Sequence, residues 1–162
     1  MKRIAMRLII GLMLVGVVLK GETVRKTCIP EAVNMLMNDE GYSKLPYKDN
    51  LGILHIGYGF NLEVVGLSIK ESTIILRLRV DDIEAKLFSE FEWFRPLDLR
   101  RQSVIISMVY QMGFNDFKSF KKMIKALADK DYDLASEEGL DSLWSLQTPT
   151  RAIRHMEVLR RG

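Results

Sequence analysis

One short stretch of the chain, residues 47–58, has a strand-like pattern, and helical patterns flank it on both sides. Its apolar residues Leu54, Ile56 and Tyr58 alternate with other residues, which is typical of a half-buried strand. The turn-forming segment Asn50-Leu51-Gly52 lies just before them and favours a β-hairpin. Because 162 residues are sufficient for one ordinary core, we predict one α+β fold, mostly α, with a small hairpin.

The helical patterns have recognisable ends. Pro30 suits the first turn of a helix, which we expect to end near Glu40 with Gly41 as its stop. The segments Ser68–Glu71 and Asp81–Glu84 have the spacing of capping boxes. Each of them therefore predicts the start of a further helix.

Two apolar stripes in the C-terminal part predict helices that face a core. The first ends at Gly113 and consists of Val104, Ile105, Met108, Val109 and Met112. The second consists of Phe117, Phe120, Met123, Ile124 and Leu127. Near the C-terminus, we expect Thr148 to cap a helix whose first residue is Pro149. Such a helix has Arg151 in its first turn.

The first 20 residues differ from the rest of the chain. A basic start is followed by an apolar run from Leu8 to Leu19. This run of 12 residues matches the apolar region of a signal peptide and is shorter than the roughly 20 residues that span a bilayer. No small-x-small cleavage site follows it. We predict an uncleaved export or signal-anchor leader with its linker over residues 1–29, and a folded domain over residues 30–162. The alternative is a buried core helix at the start of a soluble domain.

Charge and cysteine content argue against several classes of protein. The net charge of +3 arises at the N-terminus, since residues 1–30 carry +5 and the remainder carries −2. The folded part lacks the broad positive field that nucleic-acid binding needs, so we expect no nucleic-acid partner. Cys28 is the single cysteine and cannot form an internal disulfide; it is either an incidental apolar residue or a regulatory thiol. The sequence contains no phosphate-binding glycine loop and no Cys/His cluster with metal-ligand spacing, so no cofactor or metal is predicted.

Two carboxylates, Glu40 and Asp49, lie nine residues apart. Glycoside hydrolysis needs such a pair in unequal environments, one protonated to donate to the leaving oxygen and one ionised. At the end of a helix the backbone dipoles disfavour an anion, so we expect Glu40 to favour its acid form. Asp49 lies on a turn open to water and amides, where it should stay charged. Solvated carboxylates with this spacing are common, so the spacing alone leaves an ordinary surface role open.

Three segments together resemble the phage lysozyme family of endolysins and muramidases, of which the T-even phage enzymes are typical. The residues that resemble its catalytic signature are Glu40-Gly41, Tyr47-Lys48-Asp49, Gly52 and Ile56-Gly57-Tyr58-Gly59, with the Glu-x8-Asp spacing intact. Met108–Gly113 is similar to the family's central-helix segment. Trp144 with Gln147-Thr148-Pro149-Thr150-Arg151 is similar to a segment near the family's C-terminus.

The resemblance implies a lysozyme-like fold, with a small β-hairpin lobe, a larger helical lobe and a cleft between them. It implies a monomeric muramidase that cuts the β-1,4 bond between N-acetylmuramic acid and N-acetylglucosamine in peptidoglycan. Carried over by position, Glu40 is the general acid, Asp49 the second catalytic carboxylate and Arg151 the residue that orients the acid. Gln111 and Tyr110 fall where the family binds substrate, with ordinary helix-surface residues as the alternative. For Trp144 we expect a place in the core.

The chain departs from the family pattern at His55. The family usually has a threonine six residues after the catalytic aspartate, where it positions the hydrolytic water and gives inversion. An imidazole can occupy the space of the water and act as base or nucleophile near neutral pH. Alternatively, His55 only hydrogen-bonds the water or packs at the edge of the hairpin. A second departure is Phe60, where the family often has histidine.

The leader resembles the signal-arrest-release leaders of some phage endolysins. Such a leader implies export by the host secretion machinery, a stage tethered to the inner membrane, and release into the periplasm of a Gram-negative host. The expected gene is phage-encoded or lies in a prophage, and the expected role is host cell lysis. The alternatives are a non-catalytic, membrane-tethered peptidoglycan-binding protein, a lytic transglycosylase, and a tail-associated wall-piercing enzyme.

Overall fold

A computed structural model describes residues 29–162 of the chain. Residues 1–28 of the predicted leader and linker, which include Cys28, lie outside the described residues. The described part divides into two compact units, one ending at Val65 and the other beginning at Gly66. No helix within residues 29–162 is both long enough and apolar enough to cross a membrane.

The first unit consists of one helix and a three-stranded antiparallel sheet. Its elements are α1 (Ile29–Glu40), β1 (Ser43–Lys48), β2 (Leu54–Gly57) and β3 (Phe60–Asn61), with the strands in the order β1-β2-β3. The predicted helix end at Glu40 is confirmed. Gly41 follows with a φ of 66°, a left-handed conformation that glycine adopts without a steric penalty.

The predicted hairpin is confirmed, but it extends beyond residues 47–58. β1 begins at Ser43, and its pairing with β2 is irregular between Ser43 and Tyr47. Pro46 lies within β1, which an edge strand tolerates because the missing N–H can face away from the ladder. The short strand β3 completes the sheet by pairing with β2 at Ile56 and Phe60. This third strand has only two residues, which is too short for an alternating pattern to indicate it.

The second unit is helical. Its helices are α2 (Ile69–Glu90), α3 (Leu99–Met112), α4 (Phe114–Lys118), α5 (Lys121–Ala128), α6 (Tyr132–Leu140), α7 (Leu143–Gln147) and α8 (Pro149–Arg161), with a 3₁₀ turn at Glu92–Phe94. The members of the first apolar stripe, all in α3, are buried except for the partly buried Met112. Phe94, Phe117 and Met156 are fully buried in the same core. The mostly α composition is confirmed.

One predicted helix start is correct and the other is wrong. Ser68 forms a complete capping box with Glu71: the serine side chain accepts from the Glu71 amide, and the glutamate accepts from the Ser68 amide. The segment Asp81–Glu84 starts no helix, because α2 runs through it from Ile69 to Glu90. No glycine or proline interrupts α2, so the backbone before Asp81 is already helical and needs no cap.

Two further expectations need correction. The second apolar stripe is divided, with Phe117 in α4, Phe120 between the helices and the other members in α5. α4 ends at Lys118, where the hydroxyl of Ser119 donates to the Asp116 carbonyl at 2.6 Å. At α8, Pro149 takes the first position as expected, but Thr148 does not cap the helix with its side chain. Its hydroxyl instead donates to the Trp144 carbonyl at 3.0 Å, and its amide donates to the same carbonyl at 2.9 Å, so Thr148 closes the end of α7.

Candidate active site

Glu40 is the last residue of α1, and its side chain is exposed. Its carboxylate lies against the backbone of Gly59, which has a φ of 70°. A methyl group at Gly59 would lie 2.8 Å from Glu40 Oε2, closer than real Cβ atoms come to a neighbour. Only glycine therefore allows the carboxylate to occupy this place without a shift.

Asp49 lies in the turn between β1 and β2. Its Oδ1 accepts hydrogen bonds from two backbone amides, Leu51 at 2.8 Å and Ile53 at 2.9 Å. The turn closes through a further bond from the Gly52 amide to the Asp49 carbonyl at 3.0 Å. Aspartate is common in turns because its short side chain can accept hydrogen bonds from backbone amides a few residues ahead. The sequence thus folds locally so that Asp49 is held in one orientation.

The pKa of Asp49 is lowered from its ordinary value of 3.8. The hydrogen bond from the Ile53 amide has the largest effect, and partial burial opposes it. The Leu51 amide and His55 lower the pKa further. Each of these bonds stabilises the ionised form, so Asp49 is an anion over the whole neutral range.

His55 lies in β2, where it pairs with Tyr47 of β1. Its Nε2 lies 3.1 Å from Asp49 Oδ2, and its Nδ1 lies 3.1 Å from the carbonyl oxygen of Gly59. The ring of Tyr47 stacks on the imidazole, with 5.7 Å between the ring centroids and 26° between the planes. The half-buried imidazole thus has a polar partner at each nitrogen and an aromatic ring on one face.

The pKa of His55 is raised from its ordinary value of 6.5. The Gly59 carbonyl is the largest cause, and partial burial opposes it. The hydrogen bond to Asp49 and the negative charges of Asp49 and Glu40 raise the pKa further. The surroundings of His55 therefore favour the imidazolium.

The other candidate residues belong to the second unit. Arg151 is exposed in the first turn of α8, and Tyr110 and Gln111 are exposed near the end of α3. The amide oxygen of Gln111 accepts from Trp144 Nε1 at 2.9 Å. Trp144 is buried, so its expected place in the core is confirmed. The roles assigned to Arg151, Tyr110 and Gln111 stay predictions.

The structure brings Glu40, Asp49 and His55 together around the Gly59 segment. Sequence reasoning placed Gly59 and Tyr47 in the family signature but assigned neither of them a contact in this arrangement. Gly57 and Gly59 both have positive φ, which two glycines separated by one residue can indicate. Tyr47 could have been found from the register of the hairpin, since it stands opposite His55.

Comparison with known proteins gives one family. The model of the phage lysozyme family matches residues 37–152, a range that contains Glu40, Asp49, His55 and Arg151. A protein of Dictyostelium discoideum named "Probable T4-type lysozyme 1" is 28% identical over 159 residues, covering 80% of this chain and 93% of that protein. A second from the same organism, "Probable T4-type lysozyme 2", is 35% identical over 69 residues, covering 43% of this chain and 41% of that protein.

A third relative is the pre-baseplate central spike protein Gp5 of Enterobacteria phage T4. It is 26% identical over 157 residues, which cover 79% of this chain but only 27% of that protein. The family model spans well over half of the chain, and the residues that resemble the catalytic signature lie within it. The chain therefore belongs to the phage lysozyme family of glycosidases.

Proposed function

We propose that this chain is a muramidase that hydrolyses the β-1,4 bond between N-acetylmuramic acid and N-acetylglucosamine in bacterial peptidoglycan. The observation that carries the proposal is the contrast between two carboxylates of one small unit. Glu40 is exposed at the end of a helix, whereas Asp49 is held as an anion by two amides and an imidazole. Glycosidases pair a carboxyl group that donates a proton with a carboxylate that stays ionised. Asp49 fits the ionised partner, and Glu40 is the residue of the same unit assigned to proton donation.

Glu40 is the general acid of the proposed reaction. Its carboxyl proton goes to the glycosidic oxygen as the bond to the sugar carbon breaks, so the leaving group departs as a neutral hydroxyl. The sugar carbon then carries positive charge. Water adds to that carbon and releases a proton to the solvent, and Glu40 takes up a proton from the solvent, which completes the hydrolysis and restores the acid.

Asp49 stabilises the positive sugar centre and orients the attacking water. Hydrogen bonds to both of its oxygens stabilise the anion and make the carboxylate a weaker nucleophile. We therefore assign Asp49 an electrostatic and water-orienting role rather than direct attack on the sugar. Arg151 is assigned to orienting Glu40, on the strength of the family resemblance.

The test is digestion of purified peptidoglycan by the full chain, with analysis of the new glycan ends. We expect reducing ends, and we expect Glu40→Gln to abolish their formation, because the amide cannot donate the required proton. Asp39→Asn is the matched control, since Asp39 is the exposed neighbour of Glu40 in α1 and should not affect turnover. Appreciable activity in a folded Glu40→Gln protein contradicts the acid assignment.

The same digestion separates the alternatives. Anhydro ends identify a lytic transglycosylase. Binding to peptidoglycan without any new ends identifies a non-catalytic binding protein. Either result contradicts the proposed hydrolysis.

We further propose that the chain is an exported endolysin that causes host cell lysis. The basic start, the apolar run from Leu8 to Leu19 and the missing cleavage site support a leader that remains on the protein. The proposed course is export by the host secretion machinery, a stage tethered to the inner membrane, and release into the periplasm. The glycines Gly11 and Gly16 lower the apolarity of the run. They therefore lower the free energy needed to release it from the membrane.

Fractionation during expression tests this course. We expect the full-length chain first in the membrane and later in the periplasm, with its original N-terminus. Deleting residues 1–20 should leave an active enzyme in the cytoplasm that does not lyse cells from within. Replacing Gly11 and Gly16 by leucine should retain the protein in the membrane. A mature form that begins near Gly21 indicates a cleaved signal and contradicts the proposal.

A tail-associated enzyme is the second candidate, because one relative is the spike protein of phage T4. A protein of that kind should be found in phage particles, and its delivery should not depend on residues 1–20. Detection of the chain in purified particles, together with normal lysis after deletion of residues 1–20, favours this candidate.

A further inference from the structure

Both ring nitrogens of His55 face hydrogen-bond acceptors. Asp49 Oδ2 lies 3.1 Å from Nε2, and the Gly59 carbonyl oxygen lies 3.1 Å from Nδ1. A neutral imidazole carries one N–H and can satisfy only one acceptor, whereas an imidazolium donates from both nitrogens. The two contacts are hydrogen bonds at the same time only when the ring is doubly protonated.

The two hydrogen bonds connect the segments that carry both carboxylates. One reaches Asp49 itself, in the turn after β1. The other reaches the backbone of Gly59, against which the carboxylate of Glu40 lies. The imidazole therefore ties the turn that carries Asp49 to the segment that contacts Glu40.

We propose that His55 is a positioning residue, which acts as a double donor that sets the placement of Asp49 relative to Glu40. This inference rests on the proposed function, because it assigns a role within the same hydrolysis. It favours the passive alternative for His55 over a base or nucleophile. A base or nucleophile needs a ring nitrogen with a free lone pair, and a doubly donating imidazolium has none.

The charged and titratable groups around His55 within its unit agree with this role. Asp49 and Glu40 contribute negative charge, from the turn after β1 and from the end of α1 respectively. Tyr47 of β1 presents the face of its ring, which favours a cation. The double donor is present at low pH and is lost as the pH rises through the raised pKa of His55. The placement of Asp49 by His55 should therefore be maintained at weakly acidic pH and weaken at alkaline pH. A histidine base has the opposite pH dependence, because it must be deprotonated to act.

The first experiment is a nitrogen NMR titration of the full chain. The chain contains only two histidines, His55 and His155, so His55→Gln assigns both signals. We expect His55 to titrate above 6.5 and to be protonated at both nitrogens below its midpoint. His155 is the internal reference: burial lowers its pKa below 6.5. We also expect Asp49→Asn to lower the midpoint of His55. A midpoint for His55 at or below 6.5 overturns the proposal.

The second experiment compares His55→Gln and His55→Thr with the parent by turnover and by the anomer of the first product. Glutamine can donate one hydrogen bond but cannot act as a base, so we expect kcat to fall by up to about tenfold and KM to stay unchanged. An unchanged kcat in both variants contradicts the positioning role. Loss of a base costs a factor of about a hundred or more. The product should have the inverted anomer in all three proteins. If His55→Gln does not fold, His55→Thr, which restores the family residue, serves for the same comparison.

A retained anomer in the parent overturns the proposal, as does loss of turnover by a factor of about a hundred in a folded His55→Gln or His55→Thr protein. The titration distinguishes this inference from the proposed function, because it needs no activity. If the parent does not cleave peptidoglycan, the proposed hydrolysis fails, while the titration still decides whether His55 is a double donor.

Discussion

The two units of the chain differ in what holds them together. All sixteen buried hydrophobic residues of the described chain belong to residues 66–162, whereas none of residues 29–65 is buried. The first unit is organised instead by backbone turns and by hydrogen bonds to Asp49 and His55. Stability and the proposed acid–anion chemistry therefore depend on different residues. Substitutions in the core of the second unit should lower the free energy of unfolding, and substitutions at the site should lower turnover.

The largest expected effect is on stability, in the second unit. Phe117 is fully buried. Phe117→Ala should lower the free energy of unfolding by about 3–5 kcal/mol, because it removes a large buried side chain and leaves a cavity. Urea unfolding measures this change. The matched control from the first unit is Val64→Ala, since Val64 is 77% exposed and should change stability by less than about 0.5 kcal/mol. Equal losses of unfolding free energy in the two variants contradict the conclusion that the buried core of the second unit provides the stability.

Asp49→Asn should have the next largest effect, and mainly on turnover. The asparagine oxygen can still accept from the Leu51 and Ile53 amides, so the turn should persist. The negative charge is lost, and we expect kcat to fall by about a hundredfold or more, as for removal of an electrostatic group that stabilises the transition state. Asp49→Glu keeps the charge and should retain more activity. A large drop in the urea midpoint for Asp49→Asn instead assigns the residue a structural role.

Arg151→Ala should reduce turnover less, by roughly tenfold, the factor that corresponds to about 1.4 kcal/mol. The reason is that the arginine is assigned to orienting the acid and takes no part in proton transfer. Arg154→Ala is the control, because Arg154 is also an exposed residue of α8. Peptidoglycan clearing rates at several substrate concentrations separate kcat from KM. Equal losses of turnover in both variants contradict the assignment of Arg151 to orienting the acid.

The smallest expected effect is the pH dependence of stability that comes from the Asp49–His55 pair. The pKa of His55 is raised in the folded protein, so its stabilising contribution is complete below 6.5 and disappears as the pH rises through the folded pKa. The pKa of Asp49 is lowered, so its contribution is complete above 3.8 and disappears as the pH falls through the folded pKa. The pair therefore contributes most between those two limits.

Urea midpoints of the parent and His55→Gln, measured at pH 5 and pH 9, test this dependence. We expect the parent to exceed the variant by more at pH 5 than at pH 9. A difference that is larger at pH 9 means that His55 stabilises the fold as a neutral ring, which is opposite to the effect expected from its raised pKa.

Much of the local structure could be predicted from the sequence. The helix end at Glu40, the capping box at Ser68–Glu71 and Pro149 at the start of α8 each depend on residues close in the chain. The same local rule failed at Asp81–Glu84. A capping pattern indicates only that a helix can start, and the uninterrupted helix α2 already occupied that segment.

The sequence indicated candidate residues for the site but not the contacts between them. The spacing of Glu40 and Asp49 and the departure at His55 are visible in the sequence. The positions of the two hydrogen-bond partners of the imidazole are not visible in the sequence, because they depend on the register of the hairpin and on the conformation of Gly59. A register shift of one residue would turn His55 to the other face of the sheet.

The family signature, the residue types available for acid and anion chemistry, and several helix ends were readable in the sequence without the structure. These properties depend on single side chains and on neighbours within a few positions. Tertiary structure alone decided that the His55 imidazole lies between Asp49 and the Gly59 carbonyl, and therefore which protonation state its surroundings favour. The physical reason is that the number of acceptors around an imidazole depends on which strands and turns meet in space, and one sequence pattern is compatible with several such arrangements.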